Sequence, residues 1–80
     1  MVAFIWQPWN TEHIARHGAT PRLAEAVFSA PDFQARPMNP PRWEGFGTVN
    51  GRTWKVAFIR SGEAELFVIT CFRIDSGRRR

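Results

Sequence analysis

The sequence predicts an α+β fold: a short N-terminal strand, two short helices, then an antiparallel β-meander sheet. Three observations carry this expectation. Val2 to Trp6 is a short apolar run that Gln7-Pro8 ends. The stretch Asn10-Thr11-Glu12-His13-Ile14-Ala15-Arg16-His17-Gly18-Ala19-Thr20-Pro21 holds the signals for one helix to stop and another to start. Asn50-Gly51 sits between two runs that can be extended, and this pair is the strongest short-range hairpin signal, because both turn positions need positive φ.

Each element follows from local chemistry. Asn10 is placed to cap helix one, whose last turn carries Arg16 and His17, and Gly18 supplies a left-handed stop. His13 and His17 are four residues apart and share a helix face. Thr20 caps helix two with Pro21 in its first turn, Leu23, Ala26 and Val27 form its apolar stripe, and Pro31 closes it. Asp32 to Pro41 reads as a loop or ragged edge strand, because Pro37, Pro40 and Pro41 remove ladder donors. Arg42 to Val49 and Arg52 to Arg60 form the hairpin arms, and a turn around Ser61-Gly62 leads into Glu65 to Arg73, rich in β-branched and aromatic residues. Asp75 to Arg80 is a polar tail.

Composition narrows the function classes. Eighty residues without repeat or linker predict a single domain, 1–80, near the size at which one core is marginal. Four Trp and seven Phe enlarge that core, since each buried aromatic removes roughly 150–250 Å² from water. The single cysteine, Cys71, excludes an internal disulfide framework, and in an apolar strand it reads as a packing residue. No charged-then-apolar leader or long apolar run is present, so the expected compartment is the cytoplasm, with no membrane partner. Eleven basic residues against seven acidic ones give a net charge of +4. All but Lys55 of the basic residues are Arg, whose planar fork suits phosphate and carboxylate, so the charge points to a polyanion, to an acidic protein, or simply to an arginine-rich surface.

A two-residue turn at Asn50-Gly51 fixes the facing side chains. Trp43 lies opposite Phe58, Gly45 opposite Val56 and Gly47 opposite Trp54 on one face, which is the expected core, with the glycines leaving room for the indole ring. The other face carries Arg42, Glu44, Phe46 and Thr48 against Ile59, Ala57, Lys55 and Thr53. A nucleic-acid backbone can sit on Arg42, Lys55 and Phe46 there, and the plainer alternative is a solvated face with a Glu44 and Lys55 pair. The register of the third strand stays open, since a turn one residue longer swaps its faces.

In order and spacing the chain resembles the BrnT family of small bacterial ribonuclease toxins, which have a RelE-like fold. The resemblance rests on the opening strand before Gln7-Pro8, the run His13-Ile14-Ala15-Arg16-His17-Gly18, Thr20-Pro21, Val27-Phe28, Arg42 before a glycine-containing strand, Gly51-Arg52 and Val68-Ile69-Thr70. It implies an endoribonuclease that cuts mRNA without a metal or other cofactor and is neutralised by a cognate antitoxin, a DNA-binding protein of the adjacent gene. The oligomeric state is open, a homodimer in isolation among the options. Two departures stand out. Phe72 occupies the place where the family commonly has arginine, with Arg73 one position late, and the chain stops at Arg78-Arg79-Arg80 where family members continue into a helix. Both favour an alternative: a catalytically weak or inactive module that binds RNA or protein on the same scaffold.

Cleavage of RNA without a metal needs a base for the 2′-hydroxyl, cations for the phosphorane and an acid for the leaving 5′-oxygen. His17 suits either proton-transfer role, and Glu44 is a second candidate base. Arg16, Arg52 and Arg73 supply charge. The plainer alternatives are a helix-capping imidazole for His17 and a solvated strand-end charge for Arg52. His13 and His17 have the spacing of a two-imidazole metal site, but Glu12 precedes the first histidine instead of following it and Arg16 adds positive charge, so no metal is expected.

Overall fold

The computed structural model describes residues 3–62 and 64–74; Val2 and the tail Asp75 to Arg80 lie outside them. In chain order the elements are β1 (Ala3–Ile5), α1 (Pro8–Ala15), α2 (Pro21–Phe28), β2 (Gln34–Pro37), β3 (Arg42–Val49), β4 (Arg52–Ser61) and β5 (Glu65–Ile74). The strands form one sheet in the order β1-β5-β4-β3-β2. The antiparallel run from β2 to β5 is the expected meander, whereas β1 pairs parallel with β5, Ala3 opposite Glu65 and Ile5 opposite Phe67, so the sheet is mixed. The two helices form the crossover between β1 and the meander. They pack on one face, α1 along β5 and α2 along β3 and β4.

Helix α1 starts at Pro8, earlier than the predicted cap at Asn10. The reason is that proline in a first turn gives up an N–H that has no partner there anyway. Asn10 instead lies inside that turn, where its Oδ1 accepts from the Gln7 N–H at 2.7 Å. Its Nδ2 donates to the carbonyls of Ile5 and Val68, both at 3.0 Å. Fully buried, Asn10 ties α1 to β1 and β5.

The end of α1 follows the sequence reading. Gly18 has φ +79°, and the Gly18 and Ala19 N–H groups donate to the carbonyls of Ala15 and Ile14 at 3.0 and 3.1 Å. This is a Schellman stop, and the buried Ile14 and Ala19 complete it. Thr20 caps α2 by accepting from the Leu23 N–H at 3.1 Å. The buried stripe of α2 is Ala24 and Val27, with Leu23 and Phe28 packed beside it; Ala26 is only half-buried.

Pairing of β3 with β4 matches the expected register throughout, from Arg42 opposite Ile59 to Val49 opposite Arg52, with Asn50 and Gly51 at φ 53° and 78°. Trp54, Val56 and Phe58 face the helices as core. The glycines opposite Trp54 and Val56 serve a purpose other than the expected one. A Cβ on Gly47 would lie 2.6 Å from the Val27 carbonyl oxygen, and one on Gly45 2.6 Å from the Phe33 ring. They make room for α2 and for Phe33, not for the indole.

The open register of the third strand is decided by an irregularity. Phe58 pairs with Val68 but Ala57 pairs with Thr70, leaving Ile69 as an extra residue on β5. A bulge of this kind inverts the alternation beyond it. Leu66 and Val68 are core before it and Cys71 after it, so Arg73 falls opposite Trp54 on the helix side while Phe72 falls opposite Lys55 on the outer side.

Candidate active site

Where α1 ends over the hairpin end of the sheet, a cavity of about 660 Å³ is lined by His17, Gly18, Arg52, Trp54, Phe72 and Arg73. Three devices assemble it. The Schellman stop fixes the backbone on either side of His17. The Asn50-Gly51 turn sets Arg52 two residues before the buried Trp54, on the same side of β4, and the Ile69 bulge brings Arg73 to that side as well. His17 is exposed, its ring 5.6 Å from that of His13 and 5.8 Å from that of Phe72. An imidazole and two guanidinium groups, brought from three parts of the chain, thus border one space with an aromatic wall. That combination suits a phosphodiester.

A second cluster occupies the sheet face away from the helices. Glu44 is only 4 % exposed although no helix covers it. Lys55 Nζ lies 2.6 Å from its Oε2 and Arg36 Nη2 2.7 Å from its Oε1, and the Arg36 Nε–H donates to the same Oε1 at 2.9 Å. These two cations, Lys55 foremost, hold the Glu44 carboxyl below its ordinary range. The same cations reach aromatic rings: Lys55 Nζ lies 5.9 Å from the Phe46 centroid and 5.7 Å from that of Phe72, and Arg36 Cζ 5.7 Å from Phe46. Arg42 is exposed beside them, bordering a cavity of about 290 Å³ with Glu44, Lys55 and Phe72.

Of the residues singled out by sequence, His17, Arg52 and Arg73 come together, and Arg42, Lys55 and Phe46 share the outer face. Glu44 does not join His17: it lies in the second cluster, engaged by two cations. Arg16 is exposed at the C-cap of α1, one residue beyond the helix, and does not border the cavity. Three contributors went unrecognised in the sequence. Trp54 read only as core, Phe72 only as a departure from pattern, and Arg36 only as part of an irregular segment, although its place four residues before Pro40-Pro41 in an edge strand left it able to pair across to Glu44. Cys71 is fully buried, and burial pushes its thiol from 9.0 up to about 11, as befits a packing residue. Among the described residues no set of three or more His, Cys, Asp or Glu side chains comes together.

Glu44 shares its depressed carboxyl with Asp32, which accepts from the Thr48 hydroxyl at 2.6 Å and the Thr48 N–H at 2.9 Å and is lowered by both. Carboxyls depressed in the folded state contribute stability that is complete above the ordinary carboxylate range, about 4, and lost as the pH falls through their folded values. The melting temperature should therefore drop as the pH is lowered below about 4. Glu44→Gln should make that drop shallower in thermal melts recorded across the acid range.

No family model matches the chain, and no curated protein matches it significantly. Among the described residues no helix is long and apolar enough to cross a membrane. Among solved structures the chain is similar to the crystal structure of the Brucella abortus ribonuclease toxin BrnT, with a TM-score of 0.72 and 23% identity over 94% of this chain and 96% of that one. The resemblance read from the sequence is thus borne out in three dimensions, and the chain has the α+β fold of BrnT.

Proposed function

We propose that this chain is a metal-independent endoribonuclease of the toxin type, cleaving mRNA in the cytoplasm and neutralised by a cognate antitoxin, a DNA-binding protein of the adjacent gene. The observation that carries the reading is the convergence of His17, Arg52 and Arg73 on one cavity. The fold shared with a ribonuclease toxin supports it. In this mechanism the substrate's own 2′-hydroxyl attacks the adjacent phosphorus, the bond to the 5′-oxygen breaks, and a 2′,3′-cyclic phosphate and a 5′-hydroxyl result. His17 transfers the proton at one of the two oxygens and water does so at the other, so the proton lost by the 2′-hydroxyl is matched by the one gained by the 5′-oxygen. Arg52 and Arg73 neutralise the charge that builds on the phosphorane, where guanidinium groups bind phosphate oxygens in pairs. The outer face, through Arg42, Lys55 and Phe46, holds the rest of the strand.

The test is purified protein incubated with end-labelled mRNA, with and without EDTA. Cleavage that persists in EDTA and leaves a cyclic phosphate is the expected result. Binding without cleavage would replace this reading with a catalytically inactive RNA-binding module, and cleavage abolished by EDTA would reopen a metal site at His13 and His17. If Arg42 contacts the backbone, the slope of log affinity against log salt should become shallower by about 0.7 in Arg42→Ala, as one counterion-releasing contact is lost. Filter binding across a salt series reads this directly.

A further inference from the structure

The outer face carries a row that crosses three strands. Phe46 on β3 is the register partner of Lys55 on β4, and Lys55 is the partner of Phe72 on β5. The ammonium reaches both rings, 5.9 and 5.7 Å from their centroids, and Glu44 Oε2 holds it at 2.6 Å. Both rings are half-buried, so each keeps accessible surface. Phe72 also borders both cavities and lies 5.8 Å from the His17 ring. The row therefore ends at the proton-transfer group.

We propose that Phe46 and Phe72 are a base-stacking platform for single-stranded RNA, with Lys55 taking the phosphate between the two stacked bases, and that Phe72 positions the nucleotide whose phosphodiester enters the His17 cavity. The proposal rests on the endoribonuclease reading and deepens it. Aromatic rings alternating with cations match single-stranded nucleic acid, because every base offers a π-face and every linkage a charge. An ammonium has three donors, and the bond to Glu44 leaves others for a phosphate oxygen. Arg36, Arg42 and Lys55 against Glu44 leave the face net positive.

The spacing selects an unpaired strand. Phe46 and Phe72 stand two strands apart, about 10 Å, whereas stacked bases rise only about 3.4 Å per nucleotide, so a duplex cannot seat neighbouring bases on both rings. A duplex also hides its base faces, leaving only edges and backbone.

The experiment uses a short fluorescein-labelled 2′-O-methyl oligonucleotide, which lacks the attacking hydroxyl and cannot be cut, alone and annealed to its complement. Anisotropy titrations with the parent chain should show tighter binding of the single strand. Phe46→Leu and Phe72→Leu, which keep an apolar side chain but lose the π-face, should each weaken it by at least about fivefold, and Phe72→Trp should restore parental affinity. Variants are compared at matched melting behaviour. Because the probe is inert, the outcome does not depend on whether the chain cleaves RNA. Leucine variants that bind like the parent, or a preference for the duplex, would overturn the platform; binding of neither form would overturn it in favour of a protein partner on this face.

Discussion

Replacing His17 by alanine should lower RNA cleavage by about 10²- to 10⁴-fold while RNA affinity stays within a few-fold. Proton transfer acts on the transition state, so its loss appears in kcat and in kcat/KM together and spares ground-state binding. The fold should survive the change. His17 is exposed, and the Schellman stop around it is made by backbone groups of Ile14, Ala15, Gly18 and Ala19, which alanine leaves in place. Single-turnover cleavage, paired with a binding measurement on an uncleavable oligonucleotide, separates the two effects. A His17→Ala chain that cuts as fast as the parent would leave His17 a helix-terminal side chain and transfer the chemistry to the arginines alone.

Trp54→Ala should cost about 3–5 kcal/mol, because a large aromatic side chain removed from a packed core leaves a cavity the surroundings close only in part. The indole is 8 % exposed and belongs to the main apolar cluster. Gly47 opposite it cannot compensate by substitution, since a Cβ there runs into the Val27 carbonyl at 2.6 Å. For a chain of this length total stability is about 4–12 kcal/mol, so the loss takes much of it and the melting temperature should fall by about 12–40 °C. Because Trp54 also walls the His17 cavity, cleavage should decline at temperatures where the variant is still folded, an effect visible as lost activity below the melting transition. A variant that melts within a few degrees of the parent would show that the indole carries little of the core.

The residues of the candidate site were partly legible because two of the devices that position them are local. Positive φ at Gly18 and at Asn50-Gly51 is encoded in residue type, and from the turn at Asn50-Gly51 the pairing of Trp43 with Phe58 and of Gly47 with Trp54 follows by counting. His17 and Arg52 were therefore locatable from the chain alone. Arg73 was only a candidate. Its face depends on Ile69 being left over opposite Ala57 and Phe58, and nothing in a run of β-branched and aromatic residues marks which of them will bulge. The setting of Glu44 was legible in part: its pair with Lys55 follows from the hairpin register, but its second cation does not. Its carboxylate is occupied by Arg36 from a proline-rich segment whose edge pairing depends on the sheet already being there.

What the sequence by itself determined is the set of elements: the helix stop and restart between Gly18 and Pro21, the hairpin with its register, and an aromatic core face set apart from a basic one. These are short-range matters, decided by which backbone angles a residue tolerates and by the period of two along a strand. Tertiary structure decided the rest. The parallel pairing of β1 with β5, the buried Asn10 that joins them to α1, the approach of α2 against Gly47, and the sides of the sheet on which Phe72 and Arg73 emerge all join residues far apart in the chain. Such choices are settled by shape and by the need to satisfy buried polar groups once the elements meet, and it is that meeting which places His17, Arg52 and Arg73 around one cavity.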